Sequence, residues 1–168
     1  MKVVRRALEG GEPLGPTVLT LGLFDGVHRG HRALLMAAVA GARQRGLPAV
    51  ALTFDPHPTV LVAPERRPRL LMTLEQRLAA FREVGLDVGW VVPFSRAFSE
   101  LDPWAFLDQV HRVLAPVEIH VGRSFRFGRD RQGDLETLES WGRRVGCQAL
   151  GHAFRAPDGG PLSSTRIR

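Results

Sequence analysis

Apolar residues fall along this chain in two alternating kinds of run. The first kind is short and nearly continuous: Thr17–Leu23, Ala49–Phe54, Val88–Phe94, Val117–Gly122 and Cys147–Phe154. A strand buried on both faces of a parallel sheet reads this way, because neither face tolerates alternation with polar residues. The second kind is longer and spaces its apolar positions for a helix. His31–Arg45 is rich in Ala and Leu and stops at Gly46. Leu74–Val84 follows Thr73, has Gln76 placed to complete a capping box, and stops at Gly85. Pro103–Leu114 has Asp102 as N-cap and proline at its first helical position, and Leu135–Val145 runs from Asp134 to Gly146. Strands and helices alternating through short connections predict an α/β fold, a Rossmann-like parallel sheet flanked by helices.

Two segments stand outside the alternation. Asp55–Arg69 carries Pro56, Pro58, Pro64 and Pro68 and reads as a long loop beyond a strand end, where the functional loops of such sheets gather. Ala156–Pro161 reads as a turn, and Ser163-Ser-Thr-Arg-Ile-Arg168 follows, opening on hydroxyls suited to a helix cap.

Composition narrows the class. The chain has 168 residues, 44% of them apolar, which predicts one globular domain over 1–168 with a substantial core. No apolar run reaches the roughly 20 residues of a membrane span, so no membrane partner is expected. The start, Met1-Lys-Val-Val-Arg-Arg6, lacks a signal peptide's apolar stretch, and the single Cys147 has no partner for a disulfide; both predict a cytoplasmic location. Cys147 itself reads as a small buried apolar residue. The net charge of +6 rests on arginine, Lys2 being the only lysine. A basic surplus favours anionic partners. The arginines are scattered and form no basic arm, so nucleotides are expected and nucleic acid is not.

The candidate chemistry lies at the first strand–helix junction, Gly22-Leu-Phe-Asp-Gly-Val-His-Arg-Gly-His31. A glycine-rich turn opening a helix is a ready anion site, with free backbone N–H groups and the positive end of the helix dipole facing the ligand. Gly26 and Gly30 would let a phosphate approach the backbone closely. Neither GxxxxGK[ST] nor GxGxxG is present. His28 and His31, three residues apart, share a helix face and can offer imidazole N–H donors to a polyphosphate. The rival readings are that one histidine only caps the helix, or that both bind zinc with His57 or Asp25. No HExxH or cysteine pair supports the zinc alternative.

The junction resembles the HxGH signature of the nucleotidylyltransferase superfamily. Thr53-Phe-Asp-Pro-His-Pro58, Val121-Gly-Arg-Ser-Phe-Arg-Phe-Gly128 with Gly133-Asp134, and Ser163–Arg168 are similar to further motifs of one family within it. That family is the prokaryotic bifunctional FAD synthetase and riboflavin kinase family, and the resemblance, to its FMN adenylyltransferase module, runs from Gly15 to Arg168. It implies that ATP and FMN react with Mg2+ to give FAD and pyrophosphate, by in-line attack of the FMN phosphate on the α-phosphorus without a covalent enzyme intermediate. It also implies roles. Gly22, Phe24, Asp25, Gly26 and Gly30 would shape the loop around ATP. His28 and His31 would contact its phosphates, with Ser164, Thr165 and Arg168 as the second phosphate motif, and His28, His31 and Arg168 as the catalytic set. Pro56, His57 and Pro58 would wall the flavin side, joined there by Ser124 and Arg126. Phe125 and Phe127 read as core, and Arg123, Arg129 and Arg131 as solvated charges. Ser124 departs from the Asp or Asn usual in the family. The family's kinase module, a β-barrel after the last motif, has no counterpart in this sequence. Transfer to another phosphorylated acceptor, and an idle flavin- or nucleotide-binding module, remain the alternatives; the metal ligands and the oligomeric state stay open.

Overall fold

The computed structural model describes residues 1–161. Its elements in chain order are β1 (Lys2–Arg5), β2 (Thr17–Leu21), α1 (Arg29–Arg45), β3 (Ala49–Asp55), α2 (Thr59–Val62), α3 (Leu74–Val84), β4 (Val88–Pro93), α4 (Arg96–Ser99), α5 (Pro103–Leu114), β5 (Pro116–Gly122), α6 (Leu135–Val145) and β6 (Gln148–His152). The six strands form one sheet in the order β1-β4-β3-β2-β5-β6, every neighbouring pair parallel. This is the predicted Rossmann-like α/β architecture. The direction of winding reverses between β2 and β5, and in such sheets ligands bind outside the carboxyl ends of the strands at that point.

Alternation along the central strands divides the core into two halves. Val18, Ala49, Ala51 and Val91 face one side, where they pack with Leu34, Leu35, Ala38 and Ala42 of α1 and Leu78 and Phe81 of α3. Leu19, Leu21, Val50, Leu52 and Trp90 face the other, against Phe106, Leu107 and Val110 of α5 and Trp141 of α6. Small strand residues lie under α1, and large ones lie under α5 and α6.

Three of the four predicted long helices have the predicted limits and caps. The Thr73 hydroxyl and Gln76 side chain complete a capping box on α3, Asp102 accepts from Trp104 and Ala105 at the start of α5, and Asp134 caps α6. The Asp134 carboxyl lies below its ordinary range because Thr137 donates to it through backbone N–H and hydroxyl. Three differences from the sequence reading have physical causes. β1 was not expected, being short, charged and exposed, as suits a guarded sheet edge; the Trp90 indole holds the chain beyond it by donating to the Arg6 carbonyl (3.0 Å). Asp55–Arg69 is not all loop, because α2 and a 3-10 turn at Pro64–Arg66 form within it. A further short helix, α4, is capped by Ser95.

Glu118 and His120 are buried on the α1 face of β5, each 4% exposed. Arg45 at the end of α1 reaches Glu118 Oε2 (2.6 Å), and His120 Nε2 meets Glu118 Oε1 (2.5 Å). Gly41 of α1 lies directly over this pair, and a Cβ there would strike the Glu118 carboxylate. Alanine normally stabilises a helix interior by about 1 kcal/mol relative to glycine. Gly41→Ala should instead lower the unfolding free energy by about 1–3 kcal/mol, read from urea denaturation; a gain in stability would contradict the close approach of helix and carboxylate.

Candidate functional site

The chain leaves β2 through a loop in which Phe24 (φ 54°), Gly26 (φ 84°) and Val27 (φ 31°) all take left-handed conformations. Such backbone is costly for Phe and Val and persists only where its surroundings impose it. Here they do. Phe24 is 1% exposed and packs edge-on against both His31 and Phe81, with ring centroids 5.4 and 5.3 Å apart. Asp25 is 2% exposed, and its Oδ1 accepts from the backbone N–H groups of Leu71 (2.8 Å) and Met72 (3.1 Å). This clasp ties the loop to the residues just ahead of α3.

The glycines need a correction. The sequence reading gave Gly26 and Gly30 as room for a phosphate. In the structure a Cβ at Gly22 would press on the Phe24 ring, at Gly26 on Leu71, and at Gly30 on His28 and Phe154. Side chains of the protein already occupy those spaces, so packing and the positive φ of Gly26 account for the glycines.

His28 is the N-cap of α1, and its Nδ1 accepts from the backbone N–H of His31 (3.3 Å). That bond explains why the helix begins at Arg29, two residues before the predicted start. It also fixes the tautomer: with Nδ1 accepting, the neutral ring carries its proton on Nε2, as a donor. The cap reading and the donor reading of this histidine are therefore compatible. The two rings stack at 3.7 Å between centroids. Burial lowers the pKa of His28. His31 is pushed down to about 3 by burial first, with His28 and Arg77 adding and Asp25 opposing. Both rings are neutral near neutral pH. His31 Nδ1 is buried without a hydrogen-bond partner among the described residues.

A cleft of about 1490 Å3 opens in front of this pair. Gly22, Phe24, Asp25, His28, Gly30, His31, His57, Pro58, Ser124 and Arg126 line it together. Gly26 and Pro56 are not among its lining residues, and Ser164, Thr165 and Arg168 lie outside the described residues. Across from α1, the loop after β5 exposes Ser124 and Arg126, with Arg126 Nη1 3.4 Å from Asp134. Phe127 is buried against Phe106, as expected, and carries the half-buried Phe125 stacked on it, but both residues also line the cleft. On the third side, His57 Nδ1 meets the Thr59 hydroxyl (2.8 Å) and holds the turn into α2.

Three features in or behind the cleft were not read from the sequence. Arg77 is 3% exposed, donates to the Thr53 hydroxyl (2.8 Å) and the Phe54 carbonyl (3.2 Å), and has its pKa lowered by burial against the pull of Asp25 and Asp55. Its spacing with Leu78 and Phe81 on the apolar face of α3 was the available signal. His152, at the end of β6, also lines the cleft. Finally, arginines scattered in sequence converge. Among the described residues, Arg66, Arg96, Arg123, Arg126, Arg129, Arg131 and Arg155 line the cleft against Asp25, Glu100 and Asp130, an excess that attracts anionic ligands. Cys147, by contrast, is buried as expected, its thiol pushed up to about 12 by burial and by Glu118.

Comparison with known proteins bears on this arrangement. The family model described as FAD synthetase matches residues 12–166. The chain is 38% identical over 152 residues to the bifunctional riboflavin kinase/FMN adenylyltransferase of Escherichia coli (strain K12), an alignment covering 90% of this chain and 49% of that protein. It thus spans about half the length of that relative. It is also 38% identical over 158 residues to a putative bifunctional riboflavin kinase/FMN adenylyltransferase of Geobacillus thermodenitrificans (strain NG80-2), covering 94% of this chain and 84% of that one. Among solved structures, a Streptococcus pneumoniae protein described as a macrolide-efflux protein superposes with a TM-score of 0.84 at 23% identity, over 99% of this chain and 55% of that one. That likeness concerns the fold alone.

The neutral His31 has a measurable consequence. Its folded pKa of about 3 lies below the ordinary 6.5, so between those values the unfolded chain binds a proton that the folded chain does not. The resulting stability is complete above the unfolded value and is lost as pH falls toward the folded one. Between about pH 7 and pH 4, His31→Gln should flatten the fall of the unfolding free energy, read from urea denaturation, by at most about 1.4 kcal/mol per pH unit. An unchanged slope would show that His31 is not a buried neutral ring.

Proposed function

The chain belongs to the FAD synthetase family, and on that premise we propose that it is an FMN adenylyltransferase, transferring AMP from ATP to FMN to give FAD and pyrophosphate. The observation that carries the reading is the stacked His28–His31 pair at the N-terminus of α1, facing a cleft lined by arginines at the point where the sheet reverses its winding.

An oxygen of the FMN phosphate attacks the α-phosphorus of ATP. A new P–O bond forms, the α–β bridging P–O bond breaks, and its electrons leave with pyrophosphate. The protein supplies position and charge stabilisation. His28 Nε2–H and an N–H of His31 donate to phosphoryl oxygens as charge grows on them, and the N-terminal amides of α1 act with them. Because the imidazoles are neutral, they contribute oriented dipoles in a partly dry site. The floor formed by Phe24 and the clasp formed by Asp25 fix their position before substrate arrives. The loop after β5, with Ser124 and Arg126, and the His57–Pro58 turn take the flavin half, while Ser164, Thr165 and Arg168 take the departing pyrophosphate. Arg126 is already tethered to Asp134, which limits the orientations it must lose on binding.

Mg2+ enters with ATP. Among the described residues, no three His, Cys, Asp or Glu side chains gather into a metal cluster, and Asp25 spends one carboxylate oxygen on two backbone amides. Such a site suits an ion held mainly by phosphate oxygens and water, which Mg2+ readily accepts and which would neutralise part of the phosphate charge. No described helix is long and apolar enough to cross a membrane; the reading places the reaction in the cytoplasm, where both nucleotides are made and used.

Incubation with ATP, FMN and Mg2+ should yield FAD, followed by chromatography. His28→Asn, which keeps an N-cap, and His31→Ala should each lower turnover about 100-fold with little change in FMN affinity. Folded protein that binds both substrates and forms no FAD would overturn the activity; equal losses in FMN affinity with unchanged turnover would overturn the histidine roles.

A further inference from the structure

Beneath the cleft, the buried Glu118–His120 pair does not end at His120. His120 Nδ1 lies 2.9 Å from Nε2 of His152, the rings overlapping at 5.1 Å between centroids. His152 is also parallel to Phe154 at 5.8 Å, and Phe154 packs against Gly30 between the two phosphate-facing histidines. A chain of side chains, Arg45–Glu118–His120–His152, therefore runs from the far end of α1 to the cleft wall, and His152 is its one member that lines the cleft.

Hydrogen bonding fixes the direction of this chain. Glu118 is held as a carboxylate by Arg45, which keeps its proton, so its other oxygen accepts from His120 Nε2–H. Arg45 and Glu118 already balance in charge, and a second cation on the buried His120 ring would stand uncompensated. The neutral ring accepts at Nδ1, so the donor in the next bond is His152 Nε2–H. Neutral His152 is then left with an unprotonated Nδ1, a hydrogen-bond acceptor. Its own pKa is lowered chiefly by burial, which keeps the ring in that form.

We propose that His152 is a nucleotide-contacting residue of this site, its Nδ1 accepting from an N–H or O–H donor on the nucleoside half of ATP, and that Glu118 and His120 are positioning residues that hold its tautomer. The inference rests on the proposed ATP site: His152 reaches the cleft on the α1 side, beside the residue that separates His28 and His31. Among the described residues seven arginines line the cleft against three carboxylates, and a neutral acceptor of fixed orientation adds discrimination that phosphate contacts lack. A site built to accept a hydrogen bond rejects an analogue lacking the donor.

The test measures binding of ATP, inosine triphosphate, 2′-deoxy-ATP and 3′-deoxy-ATP by calorimetry, with FAD formation followed separately. The unmodified chain should bind one of the three analogues about five- to tenfold more weakly than ATP, which identifies the donor as the base amine or a sugar hydroxyl. His152→Phe keeps the ring stacked on Phe154. It should lose the same factor for ATP, show no further loss for that analogue, and leave FMN affinity unchanged. His152→Gln, which retains an acceptor oxygen, should recover part of the loss, and His120→Phe should show a partial loss of the same discrimination without touching the ligand. Analogue discrimination unchanged in folded His152→Phe, or absent from the unmodified chain, would overturn the inference. A chain that binds ATP but forms no FAD would overturn the proposed activity while these affinities still decide the role of His152; a chain that binds no ATP would overturn both.

Discussion

The way the chain leaves β2 governs the rest of the site. Three residues in left-handed backbone within four positions would be untenable in isolation. They are held because Phe24 is locked under His31 and Phe81, and because Oδ1 of Asp25 accepts from two amides of a segment 46 and 47 residues away. That loop sets the direction from which α1 starts, and α1 in turn sets the rings of His28 and His31. A substitution at Phe24 or Asp25 thus acts on the placement of both histidine rings at the cleft.

Electrostatics at the cleft divide by depth. At the rim, exposed arginines act at a distance and are screened by salt. Deeper, the charges are few and individually compensated: Arg77 against Thr53 and Phe54 with Asp25 and Asp55 nearby, Arg45 against Glu118. Between these layers lie neutral imidazoles, whose contribution is direction. The arrangement leaves the groups at the N-terminus of α1 uncharged, so an anion drawn in by the rim would meet oriented dipoles with cations behind them.

Much of this was legible in the sequence because it is locally encoded. Strands β2 to β5 announce themselves by continuous apolar runs, and α3, α5 and α6 by Thr73, Asp102 and Asp134 with the glycine or proline that each cap motif demands. What escaped depends on contacts between distant residues. Leu71 and Phe154, which occupy the space beside Gly26 and Gly30, cannot be placed from a local pattern, so the glycines were read as vacancies for a ligand. Arg77 shows its partners Thr53 and Phe54 only once α3 is packed against β3. His120 and His152 sit in apolar runs and were read only as strand residues, because their partnership requires the register of β5 with β6. The helix start at Arg29 was missed although a capping histidine was among the readings, because histidine is not a favoured N-cap and nothing local singled out His28.

The Asp25 clasp has a consequence for how the cleft wall is held. The proline-rich segment leaves the sheet at Asp55, whose carbonyl accepts from Phe94, and is caught again at Leu71 and Met72. Both ends are thereby moored, and its prolines remove much of the backbone freedom in between. Between them Arg96 donates to the Leu61 carbonyl (3.4 Å), so the segment that walls the cleft is held at its middle as well as at both ends.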